Sequence, residues 1–226
     1  MKTTRLSIVV PVLDEAAGII ATLEALAPLR AHGHELIVVD GGSRDDTVVL
    51  SRTHADAVID APRGRARQMN AGAARARGDV LLFLHADTSL PAQADAAIEK
   101  AVAGGALWGR FDVKIEGRSM MFPLIAALMN RRSRWTSIAT GDQAIFVERA
   151  LFARIGGFRE QPLMEDIELS RRLRRVGRPA CLRERVLTSG RRWEQHGVWR
   201  TIVLMWRLRW RYWRGASPEL LAKAYR

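Results

Sequence analysis

Four short apolar runs separated by helical stretches fill the first hundred residues, and this alternation limits the fold more than any other feature of the chain. The runs are Leu6-Ser7-Ile8-Val9-Val10-Pro11-Val12, Glu35-Leu36-Ile37-Val38-Val39-Asp40, Ala57-Val58-Ile59-Asp60 and Asp79-Val80-Leu81-Leu82-Phe83-Leu84. They are β-branched and lack polar–apolar alternation, so they are predicted as strands buried on both faces. Between them lie a helical stretch at roughly 16–29, a second opened by Asp45-Asp46-Thr47, an Ala/Arg-rich one at 64–76 ended by Gly78, and one starting near Pro91. Alternation with short connections predicts an α/β fold with a mostly parallel sheet covered by helices. Right-handed crossovers then place every strand's C-terminal end on one edge, where open α/β sheets bind ligands. Asp14-Glu15, Asp40-Gly41-Gly42-Ser43 and His85-Ala86-Asp87 all fall on that edge.

The second half is less regular. Residues 106–117 alternate loosely, as an edge or mixed-sheet strand would. Residues 120–129 form an apolar helix-like run followed by Arg131-Arg132; residues 144–147 read as a strand and 165–176 as a charged amphipathic helix. No repeat and no long linker divides the chain. The net charge of +12 is concentrated at one end: residues 171–226 carry 16 basic against 3 acidic residues, leaving the rest near neutral. A nucleic-acid binder usually spreads its basicity over its main domain, so no nucleic-acid partner is expected. The single Cys181 excludes a disulfide framework and a Cys-rich zinc site, and fits a reducing cytoplasm. The N-terminal residues lack a signal-peptide pattern, and no 18-residue uncharged apolar run exists. A cytoplasmic protein is expected.

Several acids carry two readings. Asp87 ends a buried strand and can hold a divalent cation that bridges phosphates, or cap the next helix. Asp40 before Gly-Gly-Ser can contact a ligand or shape its own turn. Arg67, in Arg67-x-x-Asn70-x-Gly72, can face a ligand or solvent. Glu165-Asp166 opens a helix, where capping and a general-base role are both open.

In order along the chain, Ser7–Glu15, Val38–Thr47, Arg67–Gly72 with Ala76–Asp79, Leu82–Thr88, Gly141–Phe146, Gly156-Gly157-Phe158 and Glu165-Asp166 resemble the motif series of the family 2 glycosyltransferases. The resemblance spans residues 6–176 and implies a GT-A type, Rossmann-like fold that uses a nucleotide sugar, with UDP favoured. It implies that Pro11, Asp14 and Glu15 line the base and ribose pocket and that Asp40, with Gly42 and Ser43 after it, meets the base. Arg67 would lie near the base or diphosphate. Asp87 would match the last acid of an Asp-x-Asp motif that binds Mn2+ or Mg2+ with the diphosphate, and Asp166, beside Glu165, the base of an inverting displacement. Here the first acid of that motif is His85, followed by Ala86; histidine can ligate Mn but brings no negative charge. Gly141, Asp142 and Gln143 would meet the sugar or acceptor, as would Arg191, Arg192 and Trp193, which echo an Arg-Trp element of polymerising relatives. His196 is a further candidate ligand. The resemblance implies one GT-A catalytic domain over 1–190, with a nucleotide-binding half to about 105 and an acceptor half beyond, then a basic, Trp-rich section over 191–226.

A narrower likeness, carried by Leu84–Thr88, Gly141–Phe146, Leu163–Ser170 and Thr188–Trp193, is to a short bacterial subgroup associated with arsenosugar biosynthesis. The expected activity is inverting, metal-dependent transfer to a small or membrane-proximal acceptor. A nucleotidyltransferase is the alternative within enzymes, but Leu13-Asp14-Glu15 stands where its Gly-rich basic loop would be. A catalytically degenerate membrane- or nucleic-acid-binding module is the alternative outside them. In 199–213, Trp199, Ile202, Val203, Trp206, Trp210 and Trp213 form one helical stripe beside a row of arginines. It either packs on the catalytic body or lies in the interface of an anionic membrane, which would place the protein at the membrane's inner face.

Overall fold

The computed structural model describes residues 4–225. Its strands are β1 (Leu6–Val12), β2 (Glu35–Asp40), β3 (Ala57–Asp60), β4 (Val80–Phe83), β5 (Thr88–Ser89), β6 (Trp108–Glu116), β7 (Phe146–Glu148) and β8 (Ala180–Ser189). Its helices are α1 (Ile19–Ala25), α2 (Ala27–Ala31), α3 (Thr47–Ser51), α4 (Arg65–Arg75), α5 (Ala94–Ala103), α6 (Phe122–Thr136), α7 (Arg149–Arg154), α8 (Glu165–Val176), α9 (Arg191–His196), α10 (Val198–Trp213) and α11 (Pro218–Tyr225). The strands join in one sheet, in the order β3-β2-β1-β4-β7-β6-β8-β5.

The first four strands pair in parallel. Successive residues of a strand point to opposite faces, and here each set is buried in a separate core. Ile8, Val10, Leu36, Val38 and Leu82 pack with Ile19 and Leu23 of α1 and Ile98 of α5. Val9, Ile37, Val39, Leu81 and Phe83 pack with Met69 of α4, Phe152 of α7 and Leu173 of α8. That double burial is why these strands show no alternation in sequence. The expected helix at 16–29 is two helices: Pro28 stands in the first turn of α2, where its ring and missing N–H do not continue α1.

The other half of the sheet is mixed. β7 runs antiparallel to β4 and β6, and β6 runs parallel to β8 with an irregularity between Phe111 and Asp112. The stretch read as an edge or mixed-sheet strand is therefore interior, between β7 and β8. Asn130 of α6 exchanges two hydrogen bonds with the Val113 backbone, at 2.8 and 3.0 Å. Arg110 is fully buried; its guanidinium donates to Ser133, to the Phe111 and Asn130 carbonyls and to Asp112, which also pairs with Arg134. These bonds fix α6 on β6. Strand β8 has no counterpart in the sequence reading, because Arg183-Glu184-Arg185 breaks its apolar pattern and all three are exposed. Helix α11 is likewise an addition.

Helix α10 does not pack through its tryptophans. Thr201 and Leu208 are its buried residues, and Leu208 joins Leu163, Met164, Ile167 and Leu221, with Leu204, Met205 and Tyr212 packed alongside. Trp199, Trp206, Trp210 and Trp213 are 68%, 73%, 58% and 70% exposed. The packing face is rotated away from the aromatic stripe, so the reading in which that stripe lies against the catalytic body is corrected.

Candidate active site

The loops after β1 and β2 clasp one another. Asp14, at φ 54, lies in a left-handed conformation that Asp tolerates; its N–H donates to Ser43 Oγ at 2.9 Å and its carboxylate accepts from the Arg44 N–H at 2.7 Å. The Glu15 N–H donates to Thr47 Oγ1 at 2.8 Å and that of Ala16 to Asp45 at 3.0 Å. Asp40 is buried and engaged in its own turn: it accepts from the Gly42 and Ser43 N–H groups, at 2.8 and 2.9 Å, and from the Ser43 hydroxyl. Gly42 has φ +92, which the turn requires and which favours glycine. Of the two roles open to Asp40, its bonds are those of the turn. Pro11 is buried inside β1, opposite Val39, rather than lining a cleft.

Asp87 is exposed beyond the end of β4, and its carbonyl accepts from the Ser189 N–H at 3.1 Å, so β8 anchors it. The Ala86 carbonyl accepts from the Thr22 hydroxyl at 2.7 Å. Burial pushes the Glu15 carboxyl up, Arg191 pulls it down, and the charge of Asp87 raises it again. Glu15, Asp87 and Arg191 thus share one electrostatic neighbourhood.

A second group gathers at the start of α8. Asp166 accepts from the Gly141 N–H at 2.9 Å and from the Ile167 N–H at 2.7 Å, yet burial wins over these bonds and holds its carboxyl above the usual range. Glu165 is raised as well, by burial and then by the charge of Asp166. The Asp142 side chain is about half exposed. Burial would raise Asp142, but the hydrogen bond from His85 and the charges of His85, Arg65 and Arg192 together lower it. His85 Nδ1 is 3.4 Å from Asp142 Oδ1, and its ring lies so close over Gly141 that a Cβ there would overlap it. His85 thus sits beside Asp142 in this structure.

Several predicted residues have partners of their own. Gln143 is fully buried and closes a capping box with Thr140. Trp193 packs against the main core. Arg67 is half exposed and pairs with Glu160 at 3.0 Å. Arg192 stacks on Tyr225, 3.7 Å from the ring centroid, and donates to its carbonyl. His196 ends α9, whose next residue, Gly197 at φ +83, separates it from α10.

Two residues were missed. Arg65, the first residue of α4, is within electrostatic reach of Glu15, Glu165, Tyr225, Asp142 and Asp166. Burial opposes its charge, and those acids and the tyrosine outweigh it. Its position just past β3, on the shared sheet edge, was the available signal. Arg132 lies near Asp166 and Asp142, with buried Nε and Nη2 atoms that have no hydrogen-bond partner. Nothing in its sequence context marks it.

Among the described residues, no three His, Cys, Asp or Glu side chains are grouped to cage a metal. An exposed Asp87 with Glu15 nearby instead fits an ion held by one or two carboxylates and completed by phosphate oxygens, a common arrangement for magnesium.

The sequence matches the family model described as "Glycosyl transferase family 2" over residues 7–153, more than half of the chain, and the chain belongs to that family. It is 37% identical over 97 residues to a PGL/p-HBAD biosynthesis glycosyltransferase of Mycobacterium bovis, covering 40% of this chain and 38% of that protein. Its structure is similar to that of the mannosyltransferase PcManGT from Pyrobaculum calidifontis, solved in complex with GDP-Man and Mn2+ (TM-score 0.65, 21% identity, 83% of this chain and 57% of that one). It is equally similar to S. aureus TarS 1-349 in complex with UDP-GlcNAc (TM-score 0.65, 17% identity, 82% and 58%). These likenesses establish a GT-A-like α/β fold. The chain spans under two fifths of the mycobacterial relative's length and under three fifths of either solved chain.

Proposed function

We propose that the chain transfers a sugar from a nucleotide sugar to an acceptor hydroxyl in one inverting displacement. The observation that carries this reading is Asp166: a partly buried carboxylate whose proton affinity is raised, held by the Gly141 N–H beside Asp142, His85 and Arg65. A raised carboxylate is a better proton acceptor near neutral pH. Asp166 takes the acceptor proton, the acceptor oxygen bonds to the anomeric carbon from one face, and the bond to the phosphate oxygen breaks on the other. The nucleoside diphosphate departs. Asp87, with Glu15 beside it, would hold Mn2+ or Mg2+, which when bound supplies positive charge to the diphosphate. Arg65 lies between the two acid groups and adds a fixed cation there.

A UDP donor is favoured through the motif series, and both GDP- and UDP-sugar complexes occur among similar structures. The acceptor is small or membrane-proximal. Four segments support the narrower likeness to the arsenosugar-associated subgroup, whereas surface chemistry supports a membrane site: the four exposed tryptophans of α10 run beside Arg200, Arg207, Arg211 and Arg214. Leu124, Leu128 and Trp135 on α6, with Met120 just before it, form a second exposed apolar row. Tryptophan favours the headgroup region, and each basic residue near an anionic surface adds about 1 kcal/mol. The contact proposed is peripheral, at the inner face; among the described residues no helix is long and apolar enough to cross a membrane.

The test is a panel of UDP- and GDP-sugars with Mn2+ or Mg2+, scored by nucleoside diphosphate release and by the anomeric configuration of the product. A retained configuration overturns the single displacement; no release with any donor and acceptor overturns the transferase reading.

A further inference from the structure

Arg132 has no part in the transfer described above, yet its Nε and Nη2 atoms are buried without a hydrogen-bond partner among the described residues. Buried donors are nearly always bonded, and each exception calls for a reason. The helix that carries Arg132 is pinned on both sides of it. Asn130 exchanges two hydrogen bonds with the Val113 backbone, and Ser133 accepts from Arg110. Asn130 also accepts from Gln143 Nε2 at 3.4 Å, which ties α6 to the Gly141–Gln143 turn, and the Gly141 N–H holds Asp166 at 2.9 Å. The segment between is fastened to α8 as well, because Ala139 exchanges two bonds with the Ser170 hydroxyl. Left-handed non-glycine residues punctuate this frame: Ser137 after α6, Ala144 after the turn and Met164 before Glu165, at φ 57, 46 and 66. Such conformations are costly and persist where the surrounding structure imposes them, commonly at functional sites.

Electrostatics link the arginine to the base. Burial works against the Arg132 cation and Arg110 repels it; of the two acids that favour it, Asp166 acts more strongly than Asp142. For Arg65 the leading acid is instead Glu165. The two arginines thus divide the acid pair. We propose that Arg132 is a positioning residue of the transfer: held rigidly on α6, it is the fixed counter-charge of the Asp166 carboxylate. The proposal rests on the glycosyl-transfer reading above. An acid drawn out of water needs an opposite charge to stay ionised, and a charge already in place requires no rearrangement during the reaction. Asp166 is also faced by Asp142 from the turn, His85 from the loop after β4, Arg65 from α4, Tyr225 from α11 and Glu165 beside it. None of these is altered in the test.

The first measurement needs no acceptor. Melting curves at neutral pH are compared for the wild type, Arg132→Gln, Asp166→Asn and the double variant. Removing the carboxylate relieves its burial in both backgrounds but forfeits an attraction only where Arg132 is present. Asp166→Asn is therefore expected to raise the melting temperature by at least about 2 °C more in the Gln background. Arg132→Met, of similar length, replaces the Gln variant if that one does not fold. Equal shifts in the two backgrounds overturn the pairing. The second measurement is the pH–rate profile with a donor and acceptor that release nucleoside diphosphate. In Arg132→Gln the acid limb should move up by about one pH unit, about a tenfold loss of kcat on that limb, with the donor KM unchanged. Arg132→Lys, which keeps the charge, should bring the limb back toward wild type. A loss equal at every pH, or confined to KM, overturns the proposal. Coupling in the melts with no release from any donor removes the transferase reading and the positioning role together. Release without coupling removes Arg132 and leaves the transferase.

Discussion

The acids after β1 and β2 and the acids at the start of α8 share one sheet edge but have opposite surroundings. Asp14, Asp40 and Asp45 accept hydrogen bonds from the backbone of these two interlocked loops. These bonds give the loops a fixed shape. At Asp166 and Glu165 burial outweighs the hydrogen bonds and raises their proton affinity. Asp87 is a third case, exposed beyond the end of β4 and tied through its carbonyl to Ser189 of β8. The difference teaches that one edge can hold a rigid binding frame, a carboxylate open to a cation, and a base kept hungry for a proton.

The change expected to break this contrast most strongly is Asp166→Asn. Transfer should fall by roughly 10²–10⁴, as for a lost general base, while nucleotide binding persists. Because burial raises the Asp166 carboxyl in the folded state, its contribution to stability is present at low pH and is lost as pH rises through that raised value. The variant should therefore melt higher than the wild type at neutral pH, even though it is inactive. A variant that keeps near wild-type turnover would transfer the role to Glu165. In the wild type, ionised Asp166 is the working form, so the acid limb of the pH–rate profile should lie above the ordinary aspartate value of 3.8.

Asp87→Ala should remove the metal-dependent part of nucleotide affinity and leave the melting temperature unchanged. Calorimetric titration of UDP with and without Mn2+ checks it, and an unchanged metal dependence takes Asp87 out of the site. Gly141→Ala probes the boundary between the groups. Its new methyl would displace the His85 ring from Asp142, so turnover should drop by about tenfold, the cost of misplaced groups near the chemistry being commonly larger. Nucleotide affinity should hold. A matching loss in nucleotide affinity would mean that His85 serves the donor side after all.

The smallest effect on the folded state is expected for the double variant Trp206→Ala, Trp210→Ala. Both rings are exposed, so stability should stay within about 0.5 kcal/mol. Co-sedimentation with anionic vesicles at low salt should fall sharply against wild type. If the wild-type protein stays in the supernatant with those vesicles, the tryptophan face is not a membrane contact and the acceptor comes from solution.

The sequence by itself determined the β1–β4 core and the edge on which Asp14, Asp40 and Asp87 meet, because strands buried on both faces leave unbroken apolar runs and crossover handedness does the rest. It also marked Glu165-Asp166 as the opening of a charged helix. Only the tertiary structure decided which arginine faces those acids. Arg65 and Arg67 are two residues apart on α4, hence on different sides of the helix, and only the packing of α4 on the sheet brings Arg65 within electrostatic reach of those acids and sets Arg67 against Glu160. The same holds for β8, whose charged middle conceals a strand that exists because β6 and β5 supply its partners. It holds for α10, where a tryptophan stripe and a Leu-rich face are both apolar at helical spacing. Hydrophobicity alone ranks the tryptophans first; the hollow beside Leu163, Met164 and Ile167 accepts Leu208 instead, and the tryptophans are left facing outward.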